Sequence, residues 1–375
     1  MLLSWAMAHS RPGLDADRAH LLHPLHHPSS YPQARIWVEG QGAVIKDSTG
    51  REYLDGLAGL WNVTVGHGRK ELATAAYDQM ATLAYCSSYA GSTNYPAIAL
   101  AERLSEIAYP SINTFFFTSG VAAANQLEAA ILREGADTVA AFIAEPVQGA
   151  GGVIVPPPDY FPRIREICNR HDVLLIADEV ITGFGRTGKW FGLEHYGIEP
   201  DIMQFAKGIT SGYIPLGGIG VSDAIREVIN GVAPAKRWMH AYTYSGHPTC
   251  CAVALKNLEI LRDEGLVERA ARLGEQLAER LQRLAGLDGV GHVRSLGLIG
   301  AVEIVADKAT KALHPPEAQM ASRLTDAMLE RGLLTRVALD CICISPPLVI
   351  SEAQLDRVVE IIAEAVPAAL ATARA

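Results

Sequence analysis

The alternation of apolar and polar positions divides the chain into regions of different character. Alternating apolar residues over 36–56, separated by Gly-Gln-Gly and Asp-Ser-Thr-Gly turns, predict a small meander of strands. From about residue 70, helical patterns alternate with short apolar stretches. Three of these stretches predict strands, at 111–118, 138–146 and 173–180. Because they lack a polar face, we expect a parallel sheet with both faces covered by helices.

Helical periodicity accounts for much of the remaining chain. Helices are predicted at 69–83, 96–108, 159–171, 249–264 and 266–286. Strand-like pieces at 296–305 and 341–350 precede a closing helix from Ser351. The order predicts an arm and meander over 1–59 that belong to a small domain, a large α/β domain over 60–262, and the rest of the small α+β domain over 263–375.

Composition and charge make several kinds of partner poor candidates. Of the 375 residues, 49% are apolar and 19% are charged, which favours folded domains with sizeable cores over disorder. The net charge of −9 and the lack of a Lys/Arg block disfavour nucleic acid and acidic membrane surfaces. We find neither a membrane-length apolar run nor a signal-peptide core. The six cysteines form no disulfide framework, so we expect a cytoplasmic protein.

The most informative stretch for chemistry is 173–220. A buried strand ends at Asp178, and ligands of open α/β sheets bind beyond such strand ends. Lys207 follows a second apolar stretch and precedes a Gly-rich loop. A desolvated lysine there would have a lowered pKa and a nucleophilic amine. For an isolated Asp and Lys, however, a solvated surface pair is the more ordinary interpretation.

A glycine pattern in the same stretch imitates a dinucleotide-binding motif. Gly183, Gly185 and Gly188 follow a strand with the spacing G-x-G-x-x-G. The residues after them are broken by Gly192 and Gly197 and do not continue as a crossover helix. No second strand ends in an acidic residue at the required distance. We therefore do not expect a dinucleotide site.

Two groups of residues resemble metal ligands. They are His23, His26 and His27 in a Pro-broken loop, and Cys341 and Cys343 together with His314. Neither group has the second ligand pair that a metal site needs, so no metal is expected. The thiols of Cys341 and Cys343 are instead expected to be buried and inert.

The end of the strand over 111–118 is a candidate anion site. Ser119 and Gly120 follow the strand, and an Ala-rich helix begins after them. The free N–H groups of a first helical turn attract anions. Ser119 as a simple helix cap is an equally good interpretation of this segment alone.

Together, six segments resemble the class III aminotransferases, which use pyridoxal phosphate (PLP) and have fold type I. The segments are 56–73, 115–120, 141–157, 173–188, 205–218 and 243–255. They occur in the family's order over nearly the whole chain. The resemblance implies a mostly parallel sheet in the large domain, a smaller α+β domain, and a homodimer with shared active sites.

The resemblance also implies roles for individual residues. Lys207 matches the lysine that bonds covalently to PLP, and Asp178 matches the aspartate paired with the pyridine nitrogen. Val180 matches the residue packed on the cofactor ring. The phosphate cup corresponds to Ser119, Gly120 and Val121, and Thr243 matches the threonine that reaches the phosphate of the partner subunit.

The chain departs from the family pattern after the phosphate cup. Relatives have a strand, a Tyr-His-Gly turn and a long excursion there, whereas this chain runs directly through 127–146. We therefore predict an internal deletion, missing strands in the large sheet, and one continuous helix over 122–134. A catalytically impaired, truncated aminotransferase is accordingly an alternative to an active enzyme.

Two further departures concern the substrate. Relatives that use 2-oxoglutarate carry a Glu at the position of Ala150 and an Arg at that of Cys343. Arg336 instead matches the mobile arginine of pyruvate-dependent ω-transaminases. Trp61 and Tyr89 are candidate pocket walls, or ordinary core aromatics. The resemblance thus implies amino transfer from an ω-amino acid or amine to pyruvate; a decarboxylase or aminomutase of the same fold is a more distant alternative.

Overall fold

The computed structural model describes residues 35–84, 93–118, 127–236, 238–240 and 242–373. Its strands are β1 (Trp37–Gln41), β2 (Val44–Asp47), β3 (Glu52–Asp55), β4 (Ile112–Thr118), β5 (Ala141–Ala144), β6 (Leu174–Asp178), β7 (Ile202–Phe205), β8 (Gly217–Ser222), β9 (Val290–Leu296), β10 (Ile299–Ile304), β11 (Leu333–Leu334), β12 (Arg336–Ala338) and β13 (Cys341–Ile344). Its α-helices are α1 (Lys70–Leu83), α2 (Tyr95–Ile107), α3 (Leu127–Glu134), α4 (Tyr160–His171), α5 (Asp223–Gly231), α6 (Pro248–Asp263), α7 (Leu266–Leu284), α8 (Met320–Glu330) and α9 (Glu352–Ala373), with a kinked turn at Ala58–Trp61.

The largest described sheet has the strand order β4-β8-β7-β6-β5. Strands β5, β6 and β7 are parallel, whereas β8 is antiparallel to both β7 and β4. The predicted α/β fold with parallel strands is therefore confirmed. The prediction that helices bury both faces of this sheet is confirmed only in part, because the side chain of Leu174 is 37% exposed, whereas that of its neighbour Leu175 is fully buried. Leu174 is the first residue of β6, at the end of the sheet.

Strand β8 corrects the sequence-based expectation of a Gly-rich loop after Lys207. The loop is shorter than expected, and Gly217–Ser222 pairs with β4 on one side and β7 on the other. A Cβ atom on Gly220 would lie 2.5 Å from Cγ2 of Ile112 and 2.9 Å from Cε1 of Phe115. Close approach of neighbouring side chains thus requires glycine in this strand, although glycine has little intrinsic preference for strands.

Two four-stranded sheets lie outside the main sheet. The predicted meander over 36–56 is confirmed as β1-β2-β3, and β11 extends it in parallel to β3. The second sheet has the order β12-β13-β10-β9. The strand predicted at 296–305 is confirmed as β10, which begins at Ile299 because Gly297 at φ +58° forms a turn between β9 and β10. The strand predicted at 341–350 ends at Ile344, before two prolines that cannot donate to a sheet.

The predicted helices are confirmed with shifts of one or two residues at their ends. In the segment 122–134, the described part from Leu127 is helical, and 122–126 lie outside the described residues. Helix α6 is buried on most sides and packs against α1 and α2. None of the described helices is long and apolar enough to cross a membrane. The domain boundaries at 60 and 263 stay predictions.

Candidate active site

The end of β6 places a buried carboxylate at the carboxyl edge of the main sheet. Asp178 is the last residue of β6 and is only 3% exposed. Its Oδ1 accepts a hydrogen bond from the backbone N of Val180 at 3.1 Å. Burial raises the pKa of Asp178, whereas the Val180 amide, the neighbouring Gln204 and the charge of Lys207 lower it. Val180 is also buried and directly follows this turn.

Lys207 stands at the same edge, just after β7. The backbone at Lys207 has a φ of +48°, in the left-handed region that residues with a Cβ rarely adopt. The turn it begins is fixed by the buried Asn257 of α6, whose Nδ2 donates to Gly208 O at 2.9 Å and to Ile209 O at 3.0 Å. Non-glycine residues held in this conformation cluster at functional sites. The structure therefore supports a desolvated site rather than the surface pair.

Burial lowers the pKa of Lys207, while attraction to Asp178 and Glu145 raises it. These attractions act at a distance, because among the described residues the Lys207 ammonium lies beyond ion-pair contact with either carboxylate. Asp178 is buried and Lys207 is half-buried, so their charges are partly shielded from solvent without being joined in an ion pair. Lys207 and Asp178 are thus brought together as predicted from the sequence.

Sequence reasoning missed the third charged group, Glu145. It follows β5 directly, and its Oε2 accepts a hydrogen bond from the Gly149 N at 3.0 Å. Burial and the charge of Asp178 raise the pKa of Glu145, whereas the Gly149 amide and Lys207 lower it. The signal was present in the strand pattern: β5, β6 and β7 are adjacent and parallel, so their carboxyl ends meet.

Glu179, the residue after Asp178, connects the site to neighbouring segments through hydrogen bonds. It is fully buried and accepts hydrogen bonds from Tyr109 Oη at 2.5 Å, Gly192 N at 2.8 Å and Leu193 N at 3.1 Å, as well as from Thr182 Oγ1. Burial raises its pKa, and these four donors lower it. Glu179 thereby ties the turn after Asp178 to the segment around Gly192.

The glycines of the G-x-G-x-x-G pattern allow turns with positive φ and close contact between neighbouring segments of the chain. Gly185 and Gly188 have φ values of +89° and +83°. A Cβ atom on Gly188 would lie 2.7 Å from Cα of Ala271 in α7. Turns, rather than a crossover helix, follow the motif. The rejection of a dinucleotide site is consistent with this geometry.

Trp61 lies at the boundary between the main sheet and the second small sheet. It is 2% exposed and belongs to an apolar cluster with Val147, Val153, Cys341 and Cys343. Its Nε1 has no hydrogen-bond partner among the described residues. Val147 and Val153 belong to the loop after Glu145, so this cluster adjoins the charged site.

Arg336 opens β12 and is paired with Cys343 of β13. Its side chain is half-buried, and its charge helps to lower the pKa of the Cys343 thiol. Of the two positions that differ from 2-oxoglutarate-using relatives, Cys343 is fully buried and Ala150 is exposed. The Cys343 side chain thus belongs to the Trp61 cluster, next to Arg336.

Of the other predicted site residues, the structure describes Thr243 and not the rest. Thr243 is exposed in a turn before α6. Ser119, Gly120, Val121 and Tyr89 lie outside the described residues, and so do His23, His26 and His27. The phosphate cup and the Tyr89 wall therefore stay predictions.

Comparison with known proteins decides the family. The family model for class III aminotransferases matches residues 27–131 and 122–366. The chain belongs to the class III aminotransferases. A putrescine–pyruvate aminotransferase from Pseudomonas aeruginosa is 37% identical over 409 aligned residues, covering 87% of this chain and 89% of the relative.

Solved structures of aminotransferases have the same fold. A transaminase from the marine bacterium Virgibacillus is 39% identical, with a TM-score of 0.91 over 96% of this chain and 100% of its own. An ω-transaminase from Pseudomonas jessenii in complex with PMP is 31% identical, with a TM-score of 0.91 over 97% and 99% of the two chains. The fold is thus that of PLP-dependent transferases of fold type I. The two family-model matches meet at 122–131, where the sequence predicts a deletion, and the deletion stays a prediction.

Class III aminotransferases depend on PLP, and the described site fits this cofactor. A buried carboxylate suits a protonated ring nitrogen, and a buried amine suits an aldehyde carbon. Asp178 and Lys207 provide these groups and are separated rather than joined in an ion pair. Val180, buried beside Asp178, offers an apolar surface for the ring.

Proposed function

We propose that this aminotransferase moves an amino group from an ω-amino acid or amine to pyruvate. The observation that carries the catalytic part is the desolvated Lys207, which is coupled electrostatically to Asp178 and Glu145 at the ends of three adjacent strands. The carboxyl ends of these parallel strands meet at one edge of the sheet, which supports a shared role for the amine and the two carboxylates. Amino transfer needs such a set: a nucleophile that also moves a proton, and a charge that holds the cofactor ring.

Asp178 and Val180 are proposed to hold the cofactor. Bound PLP supplies an electrophilic carbon and a ring that withdraws electrons from the substrate. Asp178 keeps a proton at the ring nitrogen, because a buried carboxylate strongly favours a cation beside it. The backbone N of Val180 fixes Asp178 Oδ1 in position. The Val180 side chain packs on the ring and excludes water from that face.

Lys207 is proposed as the nucleophile and as the acid–base group. Burial lowers the pKa of its amine, which increases the neutral fraction available for attack on a carbonyl carbon. The same amine, when free, would remove a proton from the substrate carbon. The turn held by Asn257 limits where Nζ of Lys207 can reach. The proton would therefore be transferred over a short distance between the substrate carbon and Nζ.

Arg336 is proposed to bind the single carboxylate of pyruvate. A guanidinium holds a carboxylate bidentately, and β12 places Arg336 beside the Trp61 cluster. Ala150 and Cys343 offer no charge for the second carboxylate of 2-oxoglutarate. Leaving a buried carboxylate unpaired costs several kcal/mol, so the larger acid is disfavoured. The similarity to a putrescine–pyruvate aminotransferase also favours pyruvate.

A homodimer with shared active sites is part of the proposal. Asn94 Nδ2 donates to Gly246 O at 2.6 Å, which joins the start of α2 to the turn that carries Thr243. Around this junction Tyr95 is 88%, Met239 67% and Tyr244 70% exposed. Exposed apolar surface of this kind marks protein interfaces. Thr243 would reach the cofactor phosphate of the partner subunit.

The cellular setting is proposed to be the reducing cytoplasm. The five cysteines among the described residues are all free, and each of them is buried. Free thiols persist where the surroundings are reducing. This proposal concerns the compartment alone and does not bear on the reaction.

Acceptor choice is tested by measuring amine consumption with pyruvate and with 2-oxoglutarate as the only keto acid. We expect the rate with pyruvate to be higher by roughly a hundredfold, because the second carboxylate is unpaired in the pocket. Lys207→Ala is the matched control and removes activity with both acids. Equal rates with the two acids would refute the proposed acceptor, and retained activity in Lys207→Ala would refute the role of Lys207.

A further inference from the structure

Two thiols of β13 lie side by side on one face of the second small sheet. Cys341 and Cys343 are separated by one residue, so their side chains point the same way. The register confirms this: Cys341 pairs with Ala338 and Cys343 with Arg336. Cys341 is 5% exposed and Cys343 is fully buried. The proposed aminotransferase reaction uses neither thiol.

The surroundings of the pair are more polar than those of an ordinary buried cysteine. Arg294 Nη2 donates to Cys341 Sγ at 3.3 Å, and Cys341 Sγ donates to Gly152 O at 3.4 Å. Cys343 Sγ lies 3.7 Å from the backbone oxygen of Cys341. The hydrogen bond between the two thiols raises the pKa of Cys341, as burial does, and lowers that of Cys343, where the charge of Arg336 acts in the same direction and burial opposes it. Thiolate character at one sulfur makes a thiol pair reactive.

A groove on the surface borders Cys341, the outer thiol of the pair. It has a volume of about 500 Å³, and Cys341 forms part of its wall together with Ile154, Arg294, Glu303 and Ala338. Cys343 lies behind Cys341 in the apolar Trp61 cluster. A molecule the size of hydrogen peroxide can therefore enter the groove and meet Cys341 first, and Cys343 is the thiol placed to react with the oxidised Cys341.

We propose that Cys341 and Cys343 form a modification site, a dithiol that hydrogen peroxide closes to a disulfide within β13. One thiolate of the pair attacks a peroxide oxygen, so that an S–O bond forms, the O–O bond breaks and hydroxide leaves. The other thiol then attacks the oxidised sulfur, the S–O bond breaks and the S–S bond forms. In total, two thiols and one peroxide give one disulfide and two waters.

Strand geometry makes this disulfide easy to reduce. Two residues of extended chain separate the Cα atoms by about 6.5 Å. Disulfides usually span about 4.4–6.8 Å between Cα atoms and about 3.5–4.5 Å between Cβ atoms, and parallel side chains on one face of a strand stand farther apart than the second range, so the bond forms only if β13 bends. Strained disulfides are the labile ones. The modification is therefore reversible by mild thiol reductants.

The chain contains its own control pair. Cys250 and Cys251 are adjacent in α6, where consecutive side chains point in different directions. Burial raises the pKa of Cys250 to about 11 and that of Cys251 to about 12. Both lack the stabilised thiolate of the β13 pair, so we expect them to stay reduced under the same conditions.

The test uses the full-length protein with bound cofactor, treated with hydrogen peroxide, then alkylated and digested with trypsin. The β13 pair lies within the single peptide 337–357 and the control pair within 238–256. We expect peptide 337–357 to lose two hydrogens at least roughly tenfold faster than 238–256, because its two thiols lie on one face of a strand and one of them borders the groove, whereas the side chains of the control pair diverge. Dithiothreitol should restore it. Equal rates, or a 337–357 peptide that stays reduced or forms only sulfinic acid, would overturn the proposal.

Variants distinguish disulfide formation in the β13 pair from general oxidation of the cysteines. Cys343→Ser should abolish the disulfide in 337–357, and Cys250→Ser should leave its formation unchanged. Should Cys343→Ser fold poorly, Cys341→Ser removes the other partner and must give the same loss. A disulfide signal that survives either β13 variant would overturn the assignment. All readouts are peptide masses, so the result does not depend on aminotransferase activity or on its acceptor.

Discussion

Asn257 is predicted to hold the turn that presents Lys207, and its removal should loosen that turn. Asn257 is fully buried, and its Nδ2 donates to the carbonyls of Gly208 and Ile209 at 2.9 and 3.0 Å. Asn257→Ala removes both hydrogen bonds; Gly208 O keeps its hydrogen bond from Ser211 N, whereas Ile209 O loses the donor described for it. An unpaired buried carbonyl costs about 1–3 kcal/mol, so the free energy of opening this turn should fall by about 1–3 kcal/mol.

Hydrogen exchange measures that opening directly. The turn contains amides hydrogen-bonded at 3.3 Å, from Thr210 N to Lys207 O and from Ser211 N to Gly208 O. A fall of about 1–3 kcal/mol corresponds to exchange faster by roughly fivefold to 150-fold at these amides. The assay is hydrogen–deuterium exchange with mass spectrometry on peptides that cover 208–211, without cofactor and with it.

Asn113→Ala is the matched control. Asn113 is exposed and donates to Pro110 O at 3.1 Å, so its loss should leave exchange at 208–211 unchanged. Exchange in Asn257→Ala within threefold of wild type, in a protein that is otherwise folded, would refute the reasoning that Asn257 fixes the Lys207 turn. Equal acceleration in both variants would show a general loss of stability instead.

Three further predictions follow from the described residues. Arg336→Ala should slow turnover of pyruvate roughly tenfold to a hundredfold but hardly change that of simple aldehydes, since a charged hydrogen-bond pair is worth about 1.5–3 kcal/mol. Equal effects on pyruvate and aldehydes in steady-state assays would contradict the role assigned to Arg336. Glu145 raises the pKa of Lys207, so Glu145→Gln should move the pH midpoint of PLP capture by the apoprotein to lower pH, and an upward shift or none would contradict this. Gly188→Ala should lower the melting temperature more than Gly197→Ala. Both glycines have a positive φ, but only at Gly188 would the new Cβ lie 2.7 Å from a backbone atom, Cα of Ala271. Equal melting temperatures of the two variants would contradict the steric argument.

The sequence predicted the parts of the site that depend on strand ends. Asp178 and Lys207 both follow apolar strands, and the carboxyl ends of neighbouring parallel strands meet at one edge. The same rule applies to Glu145 after β5, but the position of β5 next to β6 became apparent only with the sheet order. Strand order is a tertiary property that local hydrophobic pattern does not determine.

Other features could not be read from local pattern, because tertiary contacts create them. Strand β8 is rich in glycine, and its place between β4 and β7 results from close packing against Ile112 and Phe115. Asn257 looks like an ordinary polar residue of a helix, and its function appears only where α6 crosses the Lys207 turn. Thr243 is exposed in the single chain, so its proposed role requires a second subunit.

The most direct test of the central claim is to locate the lysine that bonds to PLP. The holoprotein is reduced with borohydride and digested with trypsin, and the cofactor-bearing peptide is sequenced by mass spectrometry. Modification of Lys207 blocks cleavage there, so we predict the cofactor on a peptide that spans 190–226. Lys207→Ala should give no such peptide. Cofactor bound to a different lysine, or no covalent cofactor in a folded wild-type protein, would contradict the account.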